Sequence, residues 1–137
     1  GGRAYKEWIG EGIKNHVAAI EMDGGSEAPA GFGLGLAKGT PEQKAAAMAK
    51  AREIAALLAG LNAGEMREGG GGADIGPLTR EGVPGFGHLT SGGRYFEWHH
   101  TQADTLDKVD PRDFRLNIAA LAVMAFVLAD MPERLGA

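Results

Sequence analysis

Val17-Ala18-Ala19-Ile20-Glu21-Met22-Asp23-Gly24-Gly25 reads as a buried strand that runs into a glycine loop and carries a carboxylate at its end. In α/β proteins, ligands gather in the crevice outside the carboxyl ends of such strands. Asp23 is therefore placed where chemistry is kept. Its plain alternative is an aspartate that caps a turn before Gly-Gly.

Working outward, the neighbouring segments alternate between helix and strand. Tyr5, Trp8, Ile9 and Ile13 recur at helical spacing, which predicts an amphipathic helix over residues 3 to 13. His16 to Met22 is the strand, and Gly31 to Ala37 a second short one. Thr40-Pro41-Glu42-Gln43 has the residues of a capping box, with proline at the first helical position. The helix it opens carries Met48, Ala51, Ile54, Ala55 and Leu58 on one face and stops near Gly60 or Gly64. Residues 62 to 82 read as loop, with one helical turn at Pro77 to Arg80. Val83 to Thr90 is a strand. Asp110-Pro111 opens a last helix whose residues Ile118 to Ala129 are apolar on nearly every face, so it is expected to be largely buried. Strands separated by helices give an α/β fold, a layered sheet flanked by helices. No internal repeat is visible, and the length fits one domain over residues 1–137.

Composition excludes several classes of function. The 14 Lys and Arg against 18 Asp and Glu give a net charge of -4, with no basic block for nucleic acid. The longest apolar run, Ile118 to Ala129, is too short to span a bilayer. There is no Cys, so a thiolate zinc site is impossible. Glycine is the outlier: 23 residues, roughly two and a half times the usual share of about 7%. In Gly31-Phe32-Gly33-Leu34-Gly35 and Gly85-Phe86-Gly87 the glycines alternate with large apolar residues, which suits tight turns beside a site better than a flexible linker.

The second chemical signal is His99-His100-Thr101-Gln102-Ala103-Asp104-Thr105. Imidazole is the commonest protein ligand for zinc, and a nearby carboxylate can fix its tautomer. His100 is the better ligand candidate, against the alternative of an inert histidine in an aromatic loop. Neighbouring side chains generally point apart, so His99 is not expected on the same metal; it is a candidate oxyanion donor or a structural residue. Asp104 is either an outer partner of the ligand histidine or a cap of the next turn. Asp74, in Gly72-Ala73-Asp74-Ile75-Gly76, either orients a site loop or makes an Asx-turn. Glu21, Glu97, His16 and His88 read as structural or solvated, and Tyr95, Phe96 and Trp98 as packing for the histidine loop. Asp23 and the histidines together suggest a metallohydrolase, with too few ligands to complete one.

Four segments in this order resemble the second half of the catalytic domain of metallopeptidase family twenty-eight, two-zinc aminopeptidases and glutamate-carboxypeptidase-like enzymes. They are Ala18 to Gly25 followed by Pro29-Ala30-Gly31-Phe32-Gly33, then Gly71 to Leu78, then Gly82-Val83-Pro84-Gly85, and last Tyr95 to Thr105. The double histidine is most similar to the plasma glutamate carboxypeptidase branch. The resemblance implies a zinc-exopeptidase (phosphorylase/hydrolase-like) fold, small peptide substrates, and two zinc ions, with Asp23 on one and His100 on the other. It also implies export, to a periplasm or out of the cell.

In the family, a histidine, a bridging aspartate and a Glu-Glu pair come earlier in the chain; the pair supplies the general base and a further ligand. This sequence contains no Glu-Glu pair. The chain is accordingly expected to be the C-terminal part of a catalytic domain whose N-terminal half is its missing partner. Alone it is expected to be inactive, to hold zinc weakly or not at all, and to self-associate through its uncovered edge. The alternative is a non-catalytic interaction module of the same fold. An upstream His, bridging Asp and Glu-Glu pair would decide between them.

Overall fold

The computed structural model describes residues 1–136. Its centre is a mixed four-stranded sheet: β1 (Ala19–Glu21), β2 (Pro29–Gly35), β3 (Glu65–Glu68) and β4 (Gly85–Thr90), in the order β1-β4-β2-β3. β1 pairs with β4 in parallel, β4 with β2 antiparallel, and β2 with β3 in parallel. β1 and β3 are the two edges.

Side chains alternate across each strand, and here the alternation divides large residues from glycines. Phe32 and Leu34 of β2 and Phe86 of β4 join Ile20 of β1 on one face. Helices α2 (Pro41–Ala56) and α5 (Pro111–Asp130) pack there through Ala47, Met48, Ala51 and Ile54, and through Ala120, Met124 and Leu128. Burying this set supplies most of the fold's hydrophobic stabilisation, at roughly 25 cal/mol per Å² of apolar surface removed from water. A smaller core of Ala19, Leu78 and Val83, with Ile13 and Ile75, forms under α1 (Gly2–Ile9) and α3 (Gly76–Thr79).

The other face of β2 and β4 is paved with glycine, and the reason is close approach rather than turn formation. A Cβ on Gly33 would sit 2.0 Å from the carbonyl oxygen of Gly69, and one on Gly70 2.0 Å from that of Gly33. The segment Gly69 to Gly72 therefore lies backbone to backbone across the strands, which no side chain permits.

Local chemistry sets the helix starts as expected. The Thr40 hydroxyl accepts from the N–H of Gln43, and the Gln43 side chain accepts from the N–H of Thr40 at 2.8 Å. The Asp110 carboxylate accepts from the N–H of Arg112 and of Asp113.

Four expectations need correction. The first helix is α-helical only over Gly2–Ile9 and tightens to a 3-10 turn at Gly10–Asn15, where Gly10 takes a φ of 48°. The strand expected over His16 to Met22 is reduced to Ala19–Glu21, because only this part finds β4 as a partner. β3 lies inside the region read as loop; its residues Glu65-Met66-Arg67-Glu68 are mostly exposed, as suits a charged edge strand. α5 is buried along one stripe only, at Asn117, Ala120, Met124 and Leu128. Phe114, Ile118 and Phe126 face outward, the last 69% exposed.

Candidate functional site

β1 and β4 run parallel, with Glu21 opposite Gly87, so the chain leaves both strands at the same edge of the sheet. The loop after β1 carries Asp23. The loop after β4 carries the single turn α4 (Tyr95–Trp98) and the two histidines. Between the loops lies a cavity of about 420 Å³ whose wall includes Asp23, Glu27, Tyr95, Trp98, His99, His100, Asp104 and Lys108. Asp23, from one sequence signal, and His99, His100 and Asp104, from the other, thus meet at one cavity. Asp74 does not line it.

The two loops are held together by a set of hydrogen bonds. The Thr90 hydroxyl donates to the carbonyl of Gly24 at 2.8 Å, and the N–H of Ser91 donates to that of Ala28 at 2.8 Å. The Glu27 carboxylate accepts from the Ser91 hydroxyl at 2.8 Å and from the N–H of Arg94 at 2.7 Å. Asn117 of α5 donates its amide to the carbonyl of Glu27 at 2.8 Å. Glu27 belongs to no motif, and its partners are far away in the chain, so sequence reading had nothing to find it by.

The histidine pair departs from the expectation that neighbours diverge. His100 has a φ of 57°, a left-handed conformation uncommon outside glycine and often retained at functional sites. That turn of the chain lays its ring on that of His99, with centroids 3.8 Å apart and planes at 24°. The opposite face of His99 stacks on Tyr95 at 4.3 Å, and the Tyr95 hydroxyl lies 3.3 Å from His99 Nε2. Ring nitrogens bind metals in the plane of the ring, so two stacked rings still do not converge on one ion.

Asp74 contributes in another way. Its N–H and that of Ile75 each donate to the Glu21 carboxylate at 3.0 Å. The loop before α3 is thus anchored by Glu21, a structural role, and not by an Asx-turn of Asp74. Asp104 does not cap the following turn; there the Thr105 hydroxyl bonds Asp107. The Lys108 ammonium and then the Thr105 hydroxyl draw Asp107 down to about 2, so Lys108 enters the cavity wall already paired. His88 is buried, 5% exposed, with its ring edge-on to Phe32 and neither ring nitrogen hydrogen-bonded. Burial holds its pKa below the usual histidine value.

Carboxylate and imidazole are the donor types zinc takes, but a protein zinc site normally uses at least three such ligands. Among the described residues no three His, Asp or Glu side chains gather closely enough to hold an ion. The cavity wall presents carboxylate and imidazole groups without a closed three-ligand cluster among the described residues. No helix among the described residues is long and apolar enough to cross a membrane.

No family model matches the sequence, and no solved structure matches it. Among curated proteins it is similar to carboxypeptidase Q. It is 34% identical to the Homo sapiens protein over 123 residues, 90% of this chain and 25% of that one. It is 33% identical to the Mus musculus protein and 32% to that of Xenopus laevis, in each case over 135 residues, 98% of this chain and 27% of the relative. The chain spans about a quarter of the length of the curated relatives it matches. The similarity to carboxypeptidase Q thus extends over nearly the whole of this chain.

Proposed function

We propose that these residues form the C-terminal part of the catalytic domain of a longer, zinc-dependent exopeptidase that hydrolyses small peptides. The observation that carries this reading is the meeting of Asp23 and His100 at one cavity between two strand-end loops, in a chain similar to carboxypeptidase Q. In this reading Asp23 donates to one zinc and His100 to the other, and the remaining ligands and the general base come from elsewhere in the polypeptide. When bound, a zinc pair supplies Lewis acidity and a water acidic enough to attack a peptide carbonyl at neutral pH. The work of this chain is to hold two donors at a fixed separation and to wall the cavity.

His99 has two candidate roles, oxyanion donor and stacking platform for His100. Contact with Tyr95 on one face and His100 on the other favours the platform. Asp104, on the same cavity wall, is the candidate outer partner of the bound histidine, and Asp74 contributes through its backbone N–H. The family resemblance supports export to a periplasm or out of the cell. The free edge of β1 and the outward apolar face of α5 support self-association of the isolated chain.

The test is metal analysis and a panel of aminoacyl and dipeptide substrates, run on the 137-residue chain and on the longer protein. Zinc-dependent turnover by the longer protein alone is the expected result. Zinc-dependent turnover by the 137 residues would overturn the assignment as part of a site. A longer protein without bound zinc would leave the non-catalytic module as the better reading.

A further inference from the structure

We propose that Glu27 is the positioning residue that sets the distance between the Asp23 loop and the histidine pair. The proposal rests on the reading of the cavity as a peptidase site and adds to it a residue that binds neither substrate nor metal.

Both oxygens of the Glu27 carboxylate are used, one by the Ser91 hydroxyl and one by the N–H of Arg94. Arg94 is the residue from which α4 starts. Its N–H is among those that a short helical turn leaves without an internal partner, and a carboxylate there is favourable. The carboxylate therefore fixes where the turn begins. The turn in turn carries Tyr95, and the ring of Tyr95 supports His99 and through it His100.

On its own side Glu27 is equally fixed, since its carbonyl is held by Asn117 of α5. Asn117 is fully buried and also donates to Asp113. A strut thus runs from the buried stripe of α5 through Glu27 to α4 and the imidazole stack. The remaining ties between the loops, at Thr90 and at the backbone of Ser91, precede α4 in the chain and involve no residue of the turn itself. With each oxygen accepting one of these bonds, the carboxylate is held in a fixed orientation as a strut.

The chemistry of the strut separates bridge from charge. A glutamine at this position keeps an oxygen for the N–H of Arg94, and its amide can donate to the Ser91 hydroxyl, so Glu27→Gln preserves both bonds. Glu27→Ala removes both. The first readout is the NMR signals of the His99 and His100 rings in the 137-residue chain, which stacking displaces. In Glu27→Ala these should move toward unstacked values while signals from β2 and β4 stay; in Glu27→Gln they should stay as in the parent.

The second readout is zinc affinity and kcat in the longer protein. Glu27→Ala should weaken zinc by about 10- to 100-fold, the usual cost of losing an outer partner, and lower kcat more than it raises KM. Glu27→Gln should restore both. Unmoved imidazole signals in Glu27→Ala would overturn the proposal, as would a Glu27→Gln variant that behaves like Glu27→Ala. If Glu27→Ala does not fold, Ser91→Ala removes one bond and leaves the other. It should shift the same ring signals part of the way, and no shift overturns the proposal. Failure of the peptidase reading itself appears in the parent protein, as absence of zinc and turnover, and is thereby distinct from failure in the variants.

Discussion

The rings of His99 and His100 stack at 3.8 Å with their planes at 24° although the residues are adjacent in the chain, and His100 takes a left-handed φ of 57° there. The first histidine is thereby a surface against which the second is oriented. In the longer protein His99→Phe should keep most of the activity, since a phenyl ring can fill the same stack. If His99 instead donates to an oxyanion, His99→Phe and His99→Ala should both lower kcat by about 10²–10³. Steady-state kinetics on the two variants decides between the roles.

Removal of either donor should be more severe. His100→Ala and Asp23→Ala in the longer protein are each expected to lower activity by more than the roughly 10- to 100-fold that an outer partner costs. Each should also release zinc, measured by chelator competition. Full activity in His100→Ala would remove that residue from the site.

His88 gives the fold an acid sensitivity. Its folded pKa lies below the ordinary value of 6.5 because burial disfavours the charged ring. Above pH 6.5 the ring is neutral in both states and has no effect on the balance. As pH falls through 6.5 the unfolded chain takes up a proton that the folded chain refuses, so stability declines until the folded pKa is reached. Urea denaturation between pH 7.5 and 5 should show this decline, and His88→Leu should flatten it. An equal slope in both proteins would place the acid sensitivity elsewhere.

The glycine-paved face gives a graded prediction. Gly33→Ala puts a methyl 2.0 Å from a backbone carbonyl and should destabilise by at least about 1–3 kcal/mol, the range for overpacking. Gly60→Ala, with nothing within 4 Å of the new carbon, should be neutral. Thr40→Ala, which deletes the N-cap of α2, should cost about 1 kcal/mol. Denaturant midpoints rank the three.

The isolated chain should associate as its concentration rises. Phe114, Ile118 and Phe126 form an outward apolar stripe on α5, and Phe126→Glu should weaken association by breaking it. Sedimentation that shows only monomer at high concentration would count against an uncovered face.

What could be read from the sequence was local or periodic. The starts of α2 and α5 followed from Thr40, Pro41, Gln43, Asp110 and Pro111, whose effects stay within one turn. The convergence of Asp23 with His100 followed from strand-end logic. β3 escaped because its residues alternate no apolar pattern and its existence depends on β2. The burial of α5 was overestimated because a helix apolar all round does not reveal which stripe finds a partner. Glu27 and Glu21 act across distances of more than fifty residues, on backbone N–H groups that have no sequence signature.

The bare backbone face has a kinetic corollary. Four successive glycines, Gly69 to Gly72, lose more conformational freedom on folding than any other residues would, and docking on β2 and β4 returns them little apolar burial. That docking needs both strands already paired, which predicts that it follows the folding transition state. Alanine substitutions along Gly33 and Gly70 should then speed unfolding and leave the refolding rate almost untouched. A tract that composition alone would make a hinge is thus expected to be the last wall set in place on folding and the first to come away.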